Sequence, residues 1–195
     1  MSILIAYKKG DTIYMGTDTR VVANDSKRNE LCECNYKIQK LNGGMLLGIT
    51  GEIALRQTLI AYPEIFTLDK NGKLTKKHII KEIIPNLLSV LYKEGLVVEE
   101  ENEYPYMKGI LLLAHQGELY EICTSFSVMK YEDFQAVGRC DEYAQASLFN
   151  ISETDNVNDK IIETLGVVAK YSQLVGSPYL LIDTKELKYN VIKGE

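Results

Sequence analysis

The chain has little of what several large protein classes require. Its four cysteines, Cys32, Cys34, Cys123 and Cys140, show no disulfide-framework or zinc-ligand spacing, and Cys32-x-Cys34 is too tight for the usual zinc knuckle. They read as reduced thiols of a cytoplasmic protein. There are only two histidines, His78 and His115, neither with triad or metal partners at useful spacing. Both are assigned to structure, and neither a metal nor a cofactor is expected. Basic residues are outnumbered, 22 Lys and Arg against 27 Asp and Glu, for a net charge of −5. A nucleic-acid partner needs a basic face to displace counterions, so none is expected. The local cluster Lys70, Lys73, Lys76 and Lys77 reads as a solvated loop. No apolar run approaches a membrane span, and the N-terminal one is too short and lacks the basic flank of a signal peptide. No Pro/Gly/Ser-rich linker, repeat or low-complexity tract divides the chain. Residues 1–195 are therefore expected to form a single domain, with 46% hydrophobic residues to build its core.

What is present is a regular alternation of element types. β-branched content and turn punctuation predict strands over 3–9, 12–18, 36–41 and 44–49, then a helix from Glu52 to Tyr62 ahead of Pro63. Asp69-Lys70-Asn71-Gly72 reads as a turn. Thr75 is placed to cap a long helix in which Ile79, Ile80, Ile83, Ile84, Leu87, Leu88 and Leu91 recur at helical spacing. That stripe is core packing, and Pro85 is where a kink is expected. Strands are predicted over 108–115, 118–123 and 134–137, helices over 141–150 and 157–174, and strands over 179–184 and 187–192. Runs of strands segregated from runs of helices indicate antiparallel sheets covered by helices.

The most informative residue is Ser2, behind Met1 and ahead of the run Ile3-Leu4-Ile5-Ala6-Tyr7. Removal of Met1 leaves a hydroxyl with its own base, an α-amine of pKa roughly 7.7–8.0. Asp18 ends the second strand in Thr17-Asp18-Thr19-Arg20. If the first two strands pair through Lys9-Gly10-Asp11, the end of the second returns beside the start of the first, bringing Asp18 near Ser2. A strand opening at Lys37, in Lys37-Ile38-Gln39-Lys40-Leu41, brings an ammonium to the same corner. The next strand, Met45 to Ile49, leads into Thr50-Gly51-Glu52.

Taken together, these residues resemble the proteasome β-subunit and HslV-type peptidases of the N-terminal nucleophile (Ntn) hydrolases. That family opens its mature chain with threonine and has an aspartate near the end of the second strand. It then has a lysine ahead of an apolar-x-x-apolar segment and a small-Gly turn that serves an oxyanion. Phe134-Gln135-Ala136-Val137-Gly138 followed by Tyr143-Ala144-Gln145-Ala146 resembles the apolar-Gly turn and Tyr-Ala-Gln-Ala helix of HslV, so the likeness spans nearly the whole chain.

The resemblance implies an α+β fold, a four-layer αββα sandwich of two antiparallel sheets between helical layers. It implies a threonine/serine-type hydrolase in which Ser2 attacks a peptide carbonyl, Lys37 lowers the pKa of nucleophile and amine, Asp18 holds Lys37, Arg20 braces Asp18 and the Gly51 N–H stabilises the oxyanion. A pair of unit charges about 4 Å apart at an effective dielectric of about 20 is worth roughly 4 kcal/mol before solvation, so a lysine there has the reach to matter. Val21, Asn35, Gln39, Ile49 and Ile53 would line the pocket before the scissile bond, and the apolar floor of Ile49 and Ile53 favours uncharged side chains. The implied partners are a peptide or protein substrate, other copies in a homo-oligomeric ring, and an ATPase unfoldase. The chain departs from the family pattern in three places: serine replaces threonine as nucleophile, Arg139 follows Gly138, and Ser172 and Val175 fall where an Asp-x-x-Ser is usual. An Ntn amidohydrolase or transpeptidase on a dedicated substrate, and a catalytically silent proteasome-like subunit, are the other readings of the same residues.

Overall fold

The structure is a computed structural model that describes residues 2–23, 26–29, 31–101, 103–151 and 156–193. In chain order it contains β1 (Ile3–Lys9), β2 (Thr12–Asp18), β3 (Arg20–Ala23), β4 (Ser26–Asn29), β5 (Ile38–Lys40), β6 (Leu46–Ile49) and α1 (Ile53–Ala61). A long helical stretch follows, made of α2 (Lys76–His78), a π turn (Ile79–Ile83) and α3 (Ile84–Lys93). Next are β7 (Val97–Val98), β8 (Tyr106–Met107), β9 (Leu111–His115), β10 (Glu118–Ile122), β11 (Val128–Tyr131) and β12 (Phe134–Gly138). The chain ends with α4 (Asp141–Leu148), α5 (Val157–Tyr171), β13 (Tyr179–Asp183) and β14 (Asn190–Ile192).

Two five-stranded sheets carry the fold, ordered β12-β1-β2-β13-β14 and β11-β10-β9-β6-β5, with every recorded strand pair antiparallel. Successive strand side chains point to opposite faces, and here both faces of each sheet are covered. That is why Ile3, Leu4, Ile5 and Ala6 are all buried. Leu4 and Ala6 join Ile13, Met15 and Leu180 against Leu46, Leu112 and Ala114 of the other sheet. Ile3 and Ile5 face the opposite way, onto Ala144 and Leu148 of α4 and Ile161, Leu165 and Val168 of α5. Leu47, Ile49, Leu111 and Leu113 present the far face of the second sheet to Leu55 and Leu59 of α1 and to Ile79, Ile83, Leu87 and Leu91. The fold is thus a mixed α/β arrangement of antiparallel sheets with helices packed on their outer faces.

One glycine sets how closely a helix approaches. A Cβ at Gly16 of β2 would run into Ile161 of α5 and come within 2.9 Å of Leu181 on the neighbouring strand. Gly16→Ala is expected to destabilise the protein by about 1–3 kcal/mol through overpacking, read as a lower midpoint in chemical denaturation. A midpoint equal to that of the unmodified protein would show that α5 does not press on β2.

Three sequence expectations are modified. Pro85 lies within the first turn of α3, and the helical stretch carries a π turn before it: the Ile84 N–H reaches back five residues to the Ile79 carbonyl. Proline lacks an N–H and crowds the carbonyl four residues back, so a locally wider turn accommodates it without ending the helix. The segment after Arg20, where no strand is predicted, forms the β3–β4 hairpin. Cys32 and Cys34, read as reduced thiols, are disulfide-bonded to each other: the 3-10 turn Glu33–Asn35 brings their Cα atoms to 5.3 Å. Cys123 and Cys140 are free. Thr75 caps its helix as expected, its hydroxyl accepting from the His78 N–H at 3.2 Å. His78 bonds the hydroxyl and carbonyl of Thr67, and His115 meets the Gly72 carbonyl, tying the β9–β10 hairpin to the 69–72 turn. No helix among the described residues is long and apolar enough to cross a membrane.

Candidate active site

The β1–β2 hairpin places the two ends the sequence predicted side by side. The pairing runs from Lys9 opposite Thr12 to Leu4 opposite Thr17, so Asp18 lies across from the start of β1. The Asp18 carboxylate is fully buried, a state that demands partners. It has three: the Ile3 N–H at 3.3 Å, the Arg20 N–H at 3.2 Å and the Lys37 ammonium at 2.8 Å. Lys37 is itself only 3% exposed and also donates to the Arg20 carbonyl at 2.8 Å. Beside them, burial and then the Asp18 charge push the Tyr179 phenol above its ordinary value.

Ser2 is buried, and its carbonyl accepts from the Arg139 N–H at 2.8 Å, which locks the chain start to the end of β12. Met1, whose removal the Ser2 reading requires, lies outside the described residues. Gly51 adopts φ +105°, and a Cβ there would collide with the carbonyl of Lys108. Glycine is therefore required both by conformation and by the close passage of the 108–109 segment. The Glu52 N–H bonds the same carbonyl at 3.1 Å and holds the turn.

Ser2, Arg20, Lys37 and Gly51 open onto one cavity of about 520 Å³, walled also by Val21, Val22, Glu52, Ile53, Ala54, Arg56 and Lys108. Of the residues expected to line a substrate pocket, Val21 and Ile53 do so. Asn35, Gln39 and Ile49 do not. Gln39 turns back to the carbonyls of Glu33 and Tyr36, and Ile49 points into the core beneath α1. Of the expected apolar floor Ile53 lines the cavity, and the wall also includes Arg56, which sequence reading had not singled out. A signal existed: an arginine directly after the apolar run Ile53-Ala54-Leu55, five residues after Gly51.

Arg20 also differs from expectation. Its main-chain N–H, not its guanidinium, contacts Asp18. The guanidinium donates to the carbonyls of Gln173 and Val175, both at 2.9 Å, and so fastens the segment after α5 to β3. Ser172 spends its hydroxyl on the Leu174 N–H, and Val175 is buried in the cluster beneath α5. Among the described residues no cluster of three or more His, Cys, Asp or Glu side chains is placed to hold a metal.

The fold is that of the proteasome-like Ntn hydrolases. Among solved structures the chain is similar to BPH from Thiobacillus denitrificans, at 18% identity over 95% of this chain and 98% of that one with a TM-score of 0.72; that protein is also known in complex with epoxomicin. It is similar to Anbu from Yersinia bercovieri, described as an ancestral beta-subunit, at 11% identity over 99% and 88% with a TM-score of 0.71. It is similar as well to the eukaryotic HslV of Trypanosoma brucei, at 15% identity over 93% and 98% with a TM-score of 0.63. At these identities the likeness is one of fold. No protein-family model and no curated protein matches the sequence.

Proposed function

We propose that this chain is a proteasome/HslV-like peptidase whose nucleophile is Ser2, exposed by removal of Met1. The observation that carries the reading is the buried Asp18–Lys37 pair at 2.8 Å, which borders the cavity that also receives Ser2 and Gly51. An ion pair withdrawn from water is weak evidence for stability, since well-packed apolar residues often do as well or better. A fixed ammonium at a serine that can serve as its own general base has a chemical use.

In the proposed reaction the Ser2 Oγ attacks a peptide carbonyl while the α-amine takes the hydroxyl proton. The cationic field of Lys37 disfavours protonation of that amine and keeps it basic near neutral pH. The negative oxygen of the tetrahedral intermediate lies toward the Gly51 N–H, the kind of donor whose loss elsewhere costs roughly 2.7–4 kcal/mol. The intermediate collapses to an ester as the leaving amine receives the proton, and water then opens the ester. Arg20 acts at a distance, holding the 173–175 segment beside the site.

The same proposal takes residues 1–195 as one domain, a four-layer αββα sandwich in the cytoplasm. The three apolar clusters, one between the sheets and one beneath each helical layer, support that layering. It includes assembly into a homo-oligomeric ring and an ATPase unfoldase as partner; the description of Anbu as a beta-subunit supports membership of an assembly. The silent-subunit reading is favoured by one feature, an apolar Val175 where a supporting hydroxyl is usual.

Intact mass decides between them. Protein purified from cells is expected to lack Met1 and to gain one adduct with a β-lactone. Active protein that retains Met1 would sink the self-activated serine, because the amine would then be a nonbasic amide.

A further inference from the structure

We infer that the Cys32–Cys34 bond is a thiol–disulfide exchange site for an external dithiol, and that its redox state sets the reactivity of Ser2. This rests on the peptidase reading and adds a mode of regulation to that site. Both cysteines are exposed, so either sulfur is open to attack. The bond joins residues only 2 apart in sequence, and short loops gain the least chain-entropy stabilisation from a cross-link. In the cytoplasm, where the proposed function places the chain, a disulfide is ordinarily transient, catalytic or redox-sensing.

What the bond holds lies next to the candidate site. Asn35 and Tyr36, directly after Cys34, close with Lys37 over Thr17, Asp18 and Thr19 in a crevice that leaves no room for water. Tyr36 is buried there and meets the Tyr189 ring edge-on, with the ring centres 5.0 Å apart. The turn also lies beside α1, whose Ile53 and Ala54 wall the cavity. Without the disulfide the turn rests on exposed or half-buried hydrogen bonds. The Asn35 N–H donates to the Cys32 carbonyl at 2.9 Å and the Tyr36 hydroxyl to the Leu31 carbonyl at 3.2 Å. The Gln39 amide donates to the carbonyls of Glu33 at 3.2 Å and Tyr36 at 2.7 Å. Bonds that water can replace add little net stability. Opening of the turn admits water beside Asp18 and Lys37, raises the local dielectric and weakens the field of the ammonium at the Ser2 amine. The oxidised form is therefore the fast one.

The exchange balances with a dithiol as reductant. Its thiolate attacks one sulfur, forming a mixed disulfide and releasing the other cysteine as a thiolate. The second thiolate of the reductant then displaces the remaining cysteine and closes the reductant's own disulfide. Two electrons and two protons pass from the dithiol to Cys32 and Cys34.

The test uses the full-length protein, treated with dithiothreitol, freed of it and divided. Iodoacetamide with peptide mass mapping reads the state of Cys32 and Cys34, and a β-lactone reads the rate at Ser2 across a range of pH. Reduction is expected to open both cysteines to alkylation in the folded protein. It is expected to slow Ser2 labelling at least about fivefold and to move its pH dependence upward, with reoxidation by oxidised glutathione restoring both. Cys32→Ser/Cys34→Ser is expected to label at the slow rate with or without dithiothreitol. An unchanged labelling rate in protein whose cysteines are reduced overturns the inference, even if the double variant fails to fold. A disulfide that dithiothreitol cannot open until denaturant is added also overturns it, as does a folded double variant that labels at the fast rate. No labelling of Ser2 in either redox state defeats the peptidase reading beneath it, and alkylation still reports the exchange.

Discussion

A β-lactone that labels the unmodified protein once is expected to leave Ser2→Ala unlabelled, with stability changed by less than about 1 kcal/mol. The asymmetry follows from what Ser2 does in the fold. Its carbonyl accepts from Arg139, and substitution by alanine keeps that bond. Its hydroxyl is the proposed attacking group, and without it no ester forms. The other nucleophiles are poorly placed to substitute. Cys32 and Cys34 are bonded to each other. Burial, reinforced by a hydrogen bond to Glu121 at 3.3 Å, pushes the Cys123 thiol up to about 11, so it stays protonated and weakly reactive near neutral pH. Full labelling of the alanine variant, with the adduct mapped to another residue, would refute Ser2 as nucleophile. Free Cys140 is then the first residue to inspect.

The second large effect is expected at Lys37. Lys37→Ala should cost roughly 3–5 kcal/mol, because it leaves the Asp18 carboxylate buried with only main-chain donors. Labelling should fall by orders of magnitude, and its dependence on pH should move upward. The direction follows from the amine: a neighbouring cation disfavours its protonation, so without the lysine a higher pH is needed to expose the free base. Lys37→Arg should not restore the rate, since a planar guanidinium cannot replace a compact ammonium in a site this enclosed. Stability and chemistry are separated by the double variant Asp18→Asn/Lys37→Met. Removing both charges should recover much of the lost stability, as buried pairs exchanged for neutral groups often do, without recovering labelling. A double variant that labels at the original rate would make the pair a structural feature and return the activator to some other group.

The sequence by itself determined what depends on neighbours along the chain. Strands β1 and β2 and their turn were legible because alternation and Lys9-Gly10-Asp11 are local, and a hairpin of fixed register carries Asp18 back to the chain start without further information. The helices over 53–61, 141–148 and 157–171 were legible for the same reason, from periodicity and breakers. Local order also explains the misses. The strands of the β3–β4 hairpin are four residues each and the second, Ser26–Asn29, is polar, so its pattern is weak. The Cys32–Cys34 bond depends on a 3-10 turn that spacing does not specify.

Only the tertiary structure decided where long side chains end. Arg20 is two residues from Asp18, yet its guanidinium binds carbonyls more than 150 residues away. Gln39 and Ile49 sit in strands flanking the site but face a neighbouring turn and the core. Arg56 follows Leu55 in one helix, but the 100° between successive residues sends the leucine under the sheet and the arginine to the cavity. Periodicity tells which residues share a face. What that face meets is set by the packing of elements distant in sequence, and for this protein that packing formed the charge of the cavity.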